Sequence, residues 1–308
     1  MKPPPFEYLR AASLAEAVAA LAEDDAKVLA GGQSLIPLLS LRLARPSVLV
    51  DIADLGLDGL SVGPSTSGGA GVSVGPSTSG ERWLRIGAMV TQRRLELDPL
   101  VAAAVPLLAT AASHVGYPST RNRGTLGGSL AHADPVAELP AVAVALGGML
   151  TAVGASGSRE LCCEDLAEGY FSTVLDADEI VTEIRLPVAG GRHGAAWEEW
   201  SSRFHDFAEA GVGVALDLDA GGVCTAVHAA ACGIGRRPLA LGDTLAGAGL
   251  LGAATVTAPL LRAVQVAVTA ACGPGDDDRA ELAGLLAARA AVVAWEHAGR
   301  KTLRRDAA

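Results

Sequence analysis

"RNRGTLGGSLAHADP", residues 121–135, is the stretch on which the fold assignment of this sequence depends. Within it, TLGGS (Thr125–Ser129) places a Gly-Gly pair between two hydroxyl residues, ahead of a segment that can be helical. Glycine lets a ligand approach the main chain closely, and successive N–H groups in such a turn form a concave site for an anion. A following helix adds the positive end of its dipole. The stretch therefore predicts an anion-binding loop.

A second glycine pair occurs earlier in the chain, in AGGQS (Ala30–Ser34), between a short apolar run and a segment with helical spacing. Neither loop contains Lys or Arg in its core, and neither matches the GxxxxGK[ST] or GxGxxG pattern. We therefore expect the two loops to clasp a diphosphate through neutral donors, without the Lys and Mg²⁺ that a triphosphate needs. The alternative is that both pairs are structural turns, because Gly-Gly is a common turn signal.

The hydropathy pattern predicts a mixed α/β first portion and a second portion of antiparallel strands with helices, with a boundary near residues 187–194. Predicted strands cover residues 26–32, 47–52, 83–91, 179–187 and two runs within 211–235. Predicted helices cover residues 13–21, 34–44, 98–115, 136–146 and most of the chain from 258 onward. The segment SVGPSTSG occurs twice, at 61–68 and 73–80, and its composition indicates an exposed loop or a slipped hairpin.

Composition and charge narrow the class of protein. With 308 residues the chain has room for two or three domains, and its net charge of −10 argues against binding nucleic acid or an anionic membrane surface. The apolar run 139–155 is interrupted by Gly147-Gly148, which predicts a buried helix and a strand and no membrane span. The five cysteines form no CxxC pair, so we expect no metal site, and a start without a basic segment favours the cytoplasm.

Several long motifs resemble one family when they are taken in order along the chain. They are PPPFEYLRAASLAEAVAAL, AGGQSLIPLLSLRLARPSVLVDI, LRIGAMVT, RNRGTLGGSLAHADP, DEIVTEIRLP and SSRFHDFAEAGVGVAL. The sequence is similar to the FAD-binding medium subunit of molybdenum hydroxylases, which includes the flavoprotein subunit of aerobic carbon monoxide dehydrogenase and the flavin domain of xanthine dehydrogenase. The resemblance implies an α+β, vanillyl-alcohol-oxidase (PCMH)-type fold. Two α/β FAD-binding subdomains, 1–57 and 58–188, would precede a C-terminal antiparallel sheet with helices, 189–308.

The resemblance also implies which residues hold FAD. The first loop would wrap the pyrophosphate, the second would close on it, and further residues would lie near the flavin or its ribityl chain. The implied cofactor-binding residues are Ala30, Gly31, Gly32, Gln33, Ser34, Leu35, Val115, Gly116, Gly124, Thr125, Leu126, Gly127, Gly128, Ser129, His132, Asp134, Glu138 and Val181. Among them, Glu138 would accept a ribose or adenine hydrogen bond. Val181 would pack on the ring system of the flavin; the alternative is that its side chain only packs in the protein core.

Two positions depart from the pattern of the family. His205 stands where relatives often have a small residue, usually Gly, and Glu198 falls near the place of a cofactor-contacting Lys in some relatives. A negative charge at that place would disfavour the reduced, electron-rich flavin. The implied role is nevertheless an FAD-carrying electron-transfer subunit, with a molybdopterin-binding large subunit and a [2Fe–2S] small subunit as partners. The alternatives are a freestanding FAD-dependent oxidoreductase with its own organic substrate, and a cofactor-free scaffold protein. No catalytic triad or acid pair is predicted.

Overall fold

The N-terminal part of the chain forms a small parallel sheet. The computed structural model describes residues 2–22, 25–64, 82–203 and 205–305, with side chains described up to residue 299. Three strands in the order β1-β3-β2 make the sheet: β1 (Glu7–Arg10), β2 (Ala26–Leu29) and β3 (Val48–Asp51). Helix α1 (Leu14–Leu21) begins after Ser13, whose hydroxyl accepts from the Glu16 amide, as predicted. Helix α2 (Leu35–Ser40) is shorter than predicted, and β1 was not predicted.

The second sheet is antiparallel and has five strands in the order β4-β5-β10-β6-β7. The strands of this region are β4 (Leu60–Pro64), β5 (Arg82–Gly87), β6 (Met149–Gly154), β7 (Gly157–Cys162), the short pair β8 (Ala167–Gly169) and β9 (Ser172–Thr173), and β10 (Ile180–Pro187). The first four residues of the duplicated segment, 61–64, belong to β4 and pair with β5. The rest of the duplication, to residue 80, lies outside the described residues, so its predicted loop stays a prediction.

Among the described residues of this region, the helices are α3 (Gln92–Leu97), α4 (Pro99–Ala104), α5 (Pro106–His114), α6 (Pro118–Arg121), α7 (Leu126–His132), α8 (Glu138–Ala145) and α9 (Cys163–Leu166). The prediction of one helix over 98–115 was wrong. The chain leaves the helical conformation at Val105, because Pro106 has no N–H to donate and disfavours the helical conformation of its predecessor. The run 139–155 is confirmed as a buried helix, a Gly147 turn and a strand.

The C-terminal part is an antiparallel sheet in the order β11-β12-β13-β14, followed by helices. Its elements are β11 (Arg192–Trp200), β12 (Ala210–Leu218), β13 (Cys224–Cys232), β14 (Leu239–Ala240), α10 (Gly242–Gly247), α11 (Ala258–Ala271) and α12 (Asp277–Arg305). The predicted pair of strands within 211–235 is confirmed. Across the described residues, no helix is long and apolar enough to cross a bilayer.

Both faces of the C-terminal sheet are buried. One face, which includes Trp197 and Ala215, shares a core with the helices of the second sheet. A β-carbon added to Gly213 on that face would lie 3.3 Å from the Leu107 side chain of α5. The other face packs against α11 and α12, and a β-carbon on Gly194 would overlap the backbone of Ala294 in α12. Alternating residues of each strand therefore contribute to two different cores.

Candidate functional site

The two glycine loops lie against each other. A β-carbon added to Gly31 in the first loop would overlap the carbonyl oxygen of Arg123, two residues before Thr125. A β-carbon added to Gly128 in the second loop would lie 3.6 Å from the β-carbon of Ala30. Loops that are far apart in the sequence are therefore neighbours, as a shared diphosphate site requires.

The first loop leaves its backbone donors unused. Gly32 has φ +73°, a left-handed conformation that favours glycine, and the turn carries the chain from β2 into α2. In the described part of the chain, the amides of Gly32, Gln33 and Ser34 donate to no protein acceptor. The Ser34 hydroxyl makes no capping hydrogen bond and is exposed. The loop therefore has three consecutive N–H groups without a protein acceptor, the first of them in the buried Gly32, and an exposed hydroxyl, which together are the donor set of an anion nest.

The second loop uses its amides within the protein. The Leu126 amide donates to the carbonyl of Val90 (3.0 Å), and the Gly127 amide donates to the carbonyl of Ala88 (2.9 Å). A β-carbon on Gly127 would lie 2.5 Å from the β-carbon of Ala88, so this glycine is needed for α7 to reach the turn after β5. The second loop therefore differs from the predicted open nest, because two of its amides hold it to that turn.

The remaining amides of the second loop are satisfied by Thr125. Its hydroxyl caps α7 by accepting from the Gly128 amide at 3.1 Å, and its carbonyl accepts from the Ser129 amide at 3.1 Å. Thr125 is buried, whereas Gly128 and Ser129 are partly exposed. Toward a ligand the loop offers the Ser129 hydroxyl and a glycine surface without a side chain.

Gln92 is a buried residue of this region that the sequence did not reveal. It is 7% exposed, and its backbone N–H donates to the carbonyl of Gly124 at 2.8 Å. Its side-chain Oε1 lies against Gly124 and has no hydrogen-bond partner among the described residues. A β-carbon at position 124 would overlap the side-chain amide group of Gln92, which explains why position 124 is a glycine. Nothing in the sequence marks Gln92, since its contact depends on a residue from another segment.

Val115 and Gly116 form the turn that joins α5 to α6. Gly116 has φ +41°, and both residues are partly exposed. Their carbonyl oxygens accept hydrogen bonds from Arg121, for which the sequence alone predicted no role. The turn is therefore fixed from the segment that leads into the second loop.

His132 and Asp134 lie at the far end of α7. The ring of His132 lies 5.0 Å from the ring of Phe171, and burial lowers the pKa of His132 below its usual value. Asp134 accepts from the Val136 amide through Oδ1 at 3.1 Å, so its carboxylate closes a local turn. The lowered pKa favours the neutral form of the His132 imidazole, and the Asp134 carboxylate forms a turn just past α7.

Glu138 and Val181 are both buried. Burial raises the pKa of Glu138 to about 8, and the charges of Glu199 and Asp134 act in the same direction. The carboxyl group is therefore protonated at neutral pH and can donate a hydrogen bond as well as accept one. Val181 is 5% exposed within the core of the second sheet, where it is opposite Ala152 of β6.

Glu198 and Glu199 point to opposite faces of β11. Glu198 forms an ion pair with Arg289 of α12 at 3.1 Å, so the expected cofactor-facing charge is directed toward the C-terminal helices. Glu199 faces the second sheet, where its carboxylate accepts from the indole of Trp197 at 2.8 Å and lies 3.6 Å from His114 Nδ1. The alternation of side chains along a strand accounts for the difference.

His205 occupies a left-handed backbone position. Its φ of +65° is a conformation that glycine would adopt freely. Its ring lies 5.0 Å from the ring of Tyr117, next to the Val115–Gly116 turn. His205 therefore makes an aromatic contact with Tyr117 while its backbone is strained.

A cavity of about 360 Å³ opens at a different place. It lies between the segment after α7 and the C-terminal part, and its lining includes Pro135, Tyr170, Gly233, Gly275 and Arg279. Neither glycine loop lines it. The contact between the two loops and this cavity are therefore separate features, and the sequence motifs lie at the contact.

Similarity to known proteins agrees with this geometry. Residues 4–189 match the family described as the FAD binding domain in molybdopterin dehydrogenase. The chain is 34% identical to the carbon monoxide dehydrogenase medium chain of Hydrogenophaga pseudoflava, over 96% of this chain and 99% of that protein. It is 37% identical to the 6-hydroxypseudooxynicotine dehydrogenase complex subunit alpha of Paenarthrobacter nicotinovorans, over 78% and 76% of the two chains.

Solved structures show the same similarity in three dimensions. A carbon monoxide dehydrogenase from Hydrogenophaga pseudoflava superposes with a TM-score of 0.85 at 33% identity, covering 96% of this chain and 99% of the other. The quinoline 2-oxidoreductase of Pseudomonas putida 86 superposes with a TM-score of 0.80 at 32% identity, covering 97% and 99%. The predicted α+β architecture of the PCMH type is confirmed by these neighbours.

Proposed function

We propose, from the premise that this chain belongs to the family of FAD-binding domains in molybdopterin dehydrogenases, that it is the FAD-carrying electron-transfer subunit of a heteromeric molybdenum hydroxylase. Membership in the family makes FAD the cofactor of the chain and makes the chain part of an oxidoreductase. What the proposal adds is the partners, the path of the electrons and the residues that hold the cofactor.

The proposal rests on the contact between the two glycine loops. The first loop has amides without an acceptor among the described residues, and the second loop meets it with main-chain atoms and a glycine. Gly32, Gln33 and Ser34 present unused N–H groups, and Gly31 and Gly128 allow the two loops to approach. This donor set fits a pyrophosphate, which is rich in acceptors and needs no cation when amides surround it. Bound FAD would supply the capacity to accept and release one or two electrons.

The protein residues would then act by binding and orientation. The first loop would donate to the pyrophosphate, and the hydroxyl of Ser129 would approach it from the second loop. The turn of Val115 and Gly116 would flank the cofactor. Leu35 follows the free amides as the first residue of α2. His132, Asp134, Glu138 and Val181 remain proposed neighbours of the flavin or its sugar, and the buried Glu138 would offer a protonated carboxyl group.

The proposed partners are a molybdopterin-binding large subunit and a small subunit with [2Fe–2S] clusters. Support comes from relatives that are named as medium chains or as a complex subunit. Electrons would enter from the clusters and leave to a terminal acceptor. Residues 1–57 and 58–188 would be the two FAD-binding subdomains and 189–308 the C-terminal domain, and we propose that the complex works in the cytoplasm.

Two purifications test the proposal: one of the full chain alone, and one of the full chain together with the proteins that bind it in its native host. The chain alone should be yellow and show the flavin absorbance at about 450 nm. Affinity purification from the native host should recover two further polypeptides, together with iron, sulfide and molybdenum in the eluate. A yellow protein that is recovered alone and reduces its flavin with an organic substrate would instead support the freestanding oxidoreductase. A colourless protein that ignores added FAD would rule out both.

A further inference from the structure

Arg121 is a buried arginine that connects three segments around the proposed cofactor site. It is 4% exposed and is the last residue of α6. Its Nη1 donates to the carbonyl of Gly116 at 2.6 Å and to the carbonyl of Val115 at 3.1 Å. Its Nε donates to Glu96 Oε2 at 2.8 Å, with Nη2 3.4 Å from Oε1. One guanidinium thus binds a turn and a carboxylate at once.

The two carbonyls held by Arg121 belong to Val115, the C-cap residue of helix α5, and to Gly116, which follows it. Carbonyls at a helix end lack partners within the helix, and an arginine is one of the groups that satisfy them. Gly116 has a positive φ, so its carbonyl direction is set by the turn and not by a regular element. Arg121 therefore determines where the Val115–Gly116 turn lies relative to α6.

Glu96 fixes the guanidinium from the other side. This carboxylate belongs to α3, and it also accepts from Arg93 at 2.9 Å. Burial would raise the pKa of Glu96, but the hydrogen bonds from Arg121 and Arg93 outweigh burial and lower it. The ionised pair is therefore maintained in a largely buried position. The same helix α3 begins with Gln92, whose backbone N–H donates to the carbonyl of Gly124.

We propose that Arg121 is a positioning residue for FAD: its guanidinium, anchored by Glu96, holds the Val115–Gly116 turn at the correct distance from the two glycine loops. This inference rests on the proposed cofactor site. An ion pair in a buried position adds little net stability, whereas the planar fork of arginine fixes geometry that lysine cannot reproduce. The position of Arg121 shortly before Thr125 lets the fork link the turn and the second loop over a short length of chain.

The test compares Arg121→Met and Arg121→Lys with Arg159→Met in the full-length chain. Arg159 makes a similar fork to Glu179, at 2.6 and 2.7 Å, on strand β7, outside the proposed site. FAD affinity is measured by titrating the apoprotein, the environment of the flavin by visible circular dichroism at saturation, and folding by the melting temperature without FAD.

Both Arg121 variants should bind FAD at least about ten-fold more weakly and change the visible circular dichroism, while Arg159→Met stays within about two-fold of the parent protein. Arg121 variants that melt earlier but bind FAD with parental affinity and spectrum at a temperature where they are folded would show a structural role only and overturn the inference. If Arg121→Met fails to fold, Arg121→Lys and Glu96→Gln give the same readouts. A parent protein that binds no FAD would contradict the proposed function itself, which is a different outcome.

Discussion

The two glycine loops share a sequence pattern but differ in what their backbones do. In the first loop, the amides of Gly32, Gln33 and Ser34 have no acceptor among the described residues, and Ser34 makes no cap. In the second loop, Leu126 and Gly127 give their amides to the turn after β5, and Thr125 caps the helix. This difference supports the proposal that the first loop donates to the ligand, whereas the amides of the second loop hold its helix in place.

This difference shows that glycine has two separate uses in one site. Gly31 and Gly127 are both required because a β-carbon would overlap backbone or a neighbouring side chain, while Gly32 is required for its left-handed conformation. In the sequence, AGGQS and TLGGS look like two similar motifs. The structure separates them into a donor surface and a support for that surface, which variants can test one loop at a time.

The largest effect is expected from Gly31→Val, which tests whether the two loops must touch. The new side chain would displace the backbone at Arg123 and separate the loops. We expect FAD affinity to fall by at least about 100-fold, equivalent to about 3 kcal/mol. Titration of the apoprotein with FAD, followed by flavin fluorescence, measures the loss. Gly191→Val is the control, since a β-carbon at Gly191 meets nothing within 4 Å. Tight FAD binding by Gly31→Val would show that the contact is dispensable.

A pH dependence is expected from Glu138, in the segment that follows the second loop. Burial raises its pKa from the usual 4.5 to about 8, so the folded state holds a proton that the unfolded state releases. Stability therefore falls as pH rises from about 4.5 to about 8, by up to about 1.4 kcal/mol per pH unit. Urea unfolding at several pH values should show this slope in the parent protein and a flatter profile in Glu138→Gln. Parallel profiles would mean that Glu138 is ionised in the folded protein.

Gly127→Ala tests the supporting role of the second loop. The added methyl group would lie 2.5 Å from the β-carbon of Ala88, and α7 would have to shift. We expect a loss of about 1–3 kcal/mol in the free energy of unfolding, measured by urea denaturation of the apoprotein. FAD affinity of the folded variant should fall much less than in Gly31→Val. The reverse pattern, intact stability with lost FAD binding, would mean that Gly127 acts on the ligand and not on the support of α7.

The smallest effect separates the two hydroxyl residues. Thr125→Ala removes the helix cap of α7 and should cost about 1 kcal/mol of apoprotein stability. Ser34→Ala removes a hydroxyl that caps nothing and should change stability by less than about 0.5 kcal/mol. Thermal unfolding without FAD gives both values. Equal losses in the two variants would mean that the loops are not distinguished by capping.

Sequence reasoning reached the features that are local in the chain. The cap at Ser13, the glycine turns and the strand pair within 211–235 follow from short patterns, and the motifs pointed to the correct family. The break of the helix before Pro106 is also a local feature, because proline disfavours the helical conformation of its predecessor. The occupied amides of the second loop, the buried Gln92 and the fork of Arg121 depend on partners from other segments, which single-sequence patterns do not identify.

The C-terminal sheet, finally, sets a limit on how small a functional piece of this protein can be. The match to the FAD-binding family ends at residue 189, and everything up to there includes both glycine loops. Yet Leu107 and its neighbours are covered by strands that come later in the chain, and Trp197 fills the same core. A truncated polypeptide of residues 1–189 would leave that apolar surface bare, so we expect it to aggregate. The minimal autonomous flavin carrier is therefore larger than the region that the family match defines.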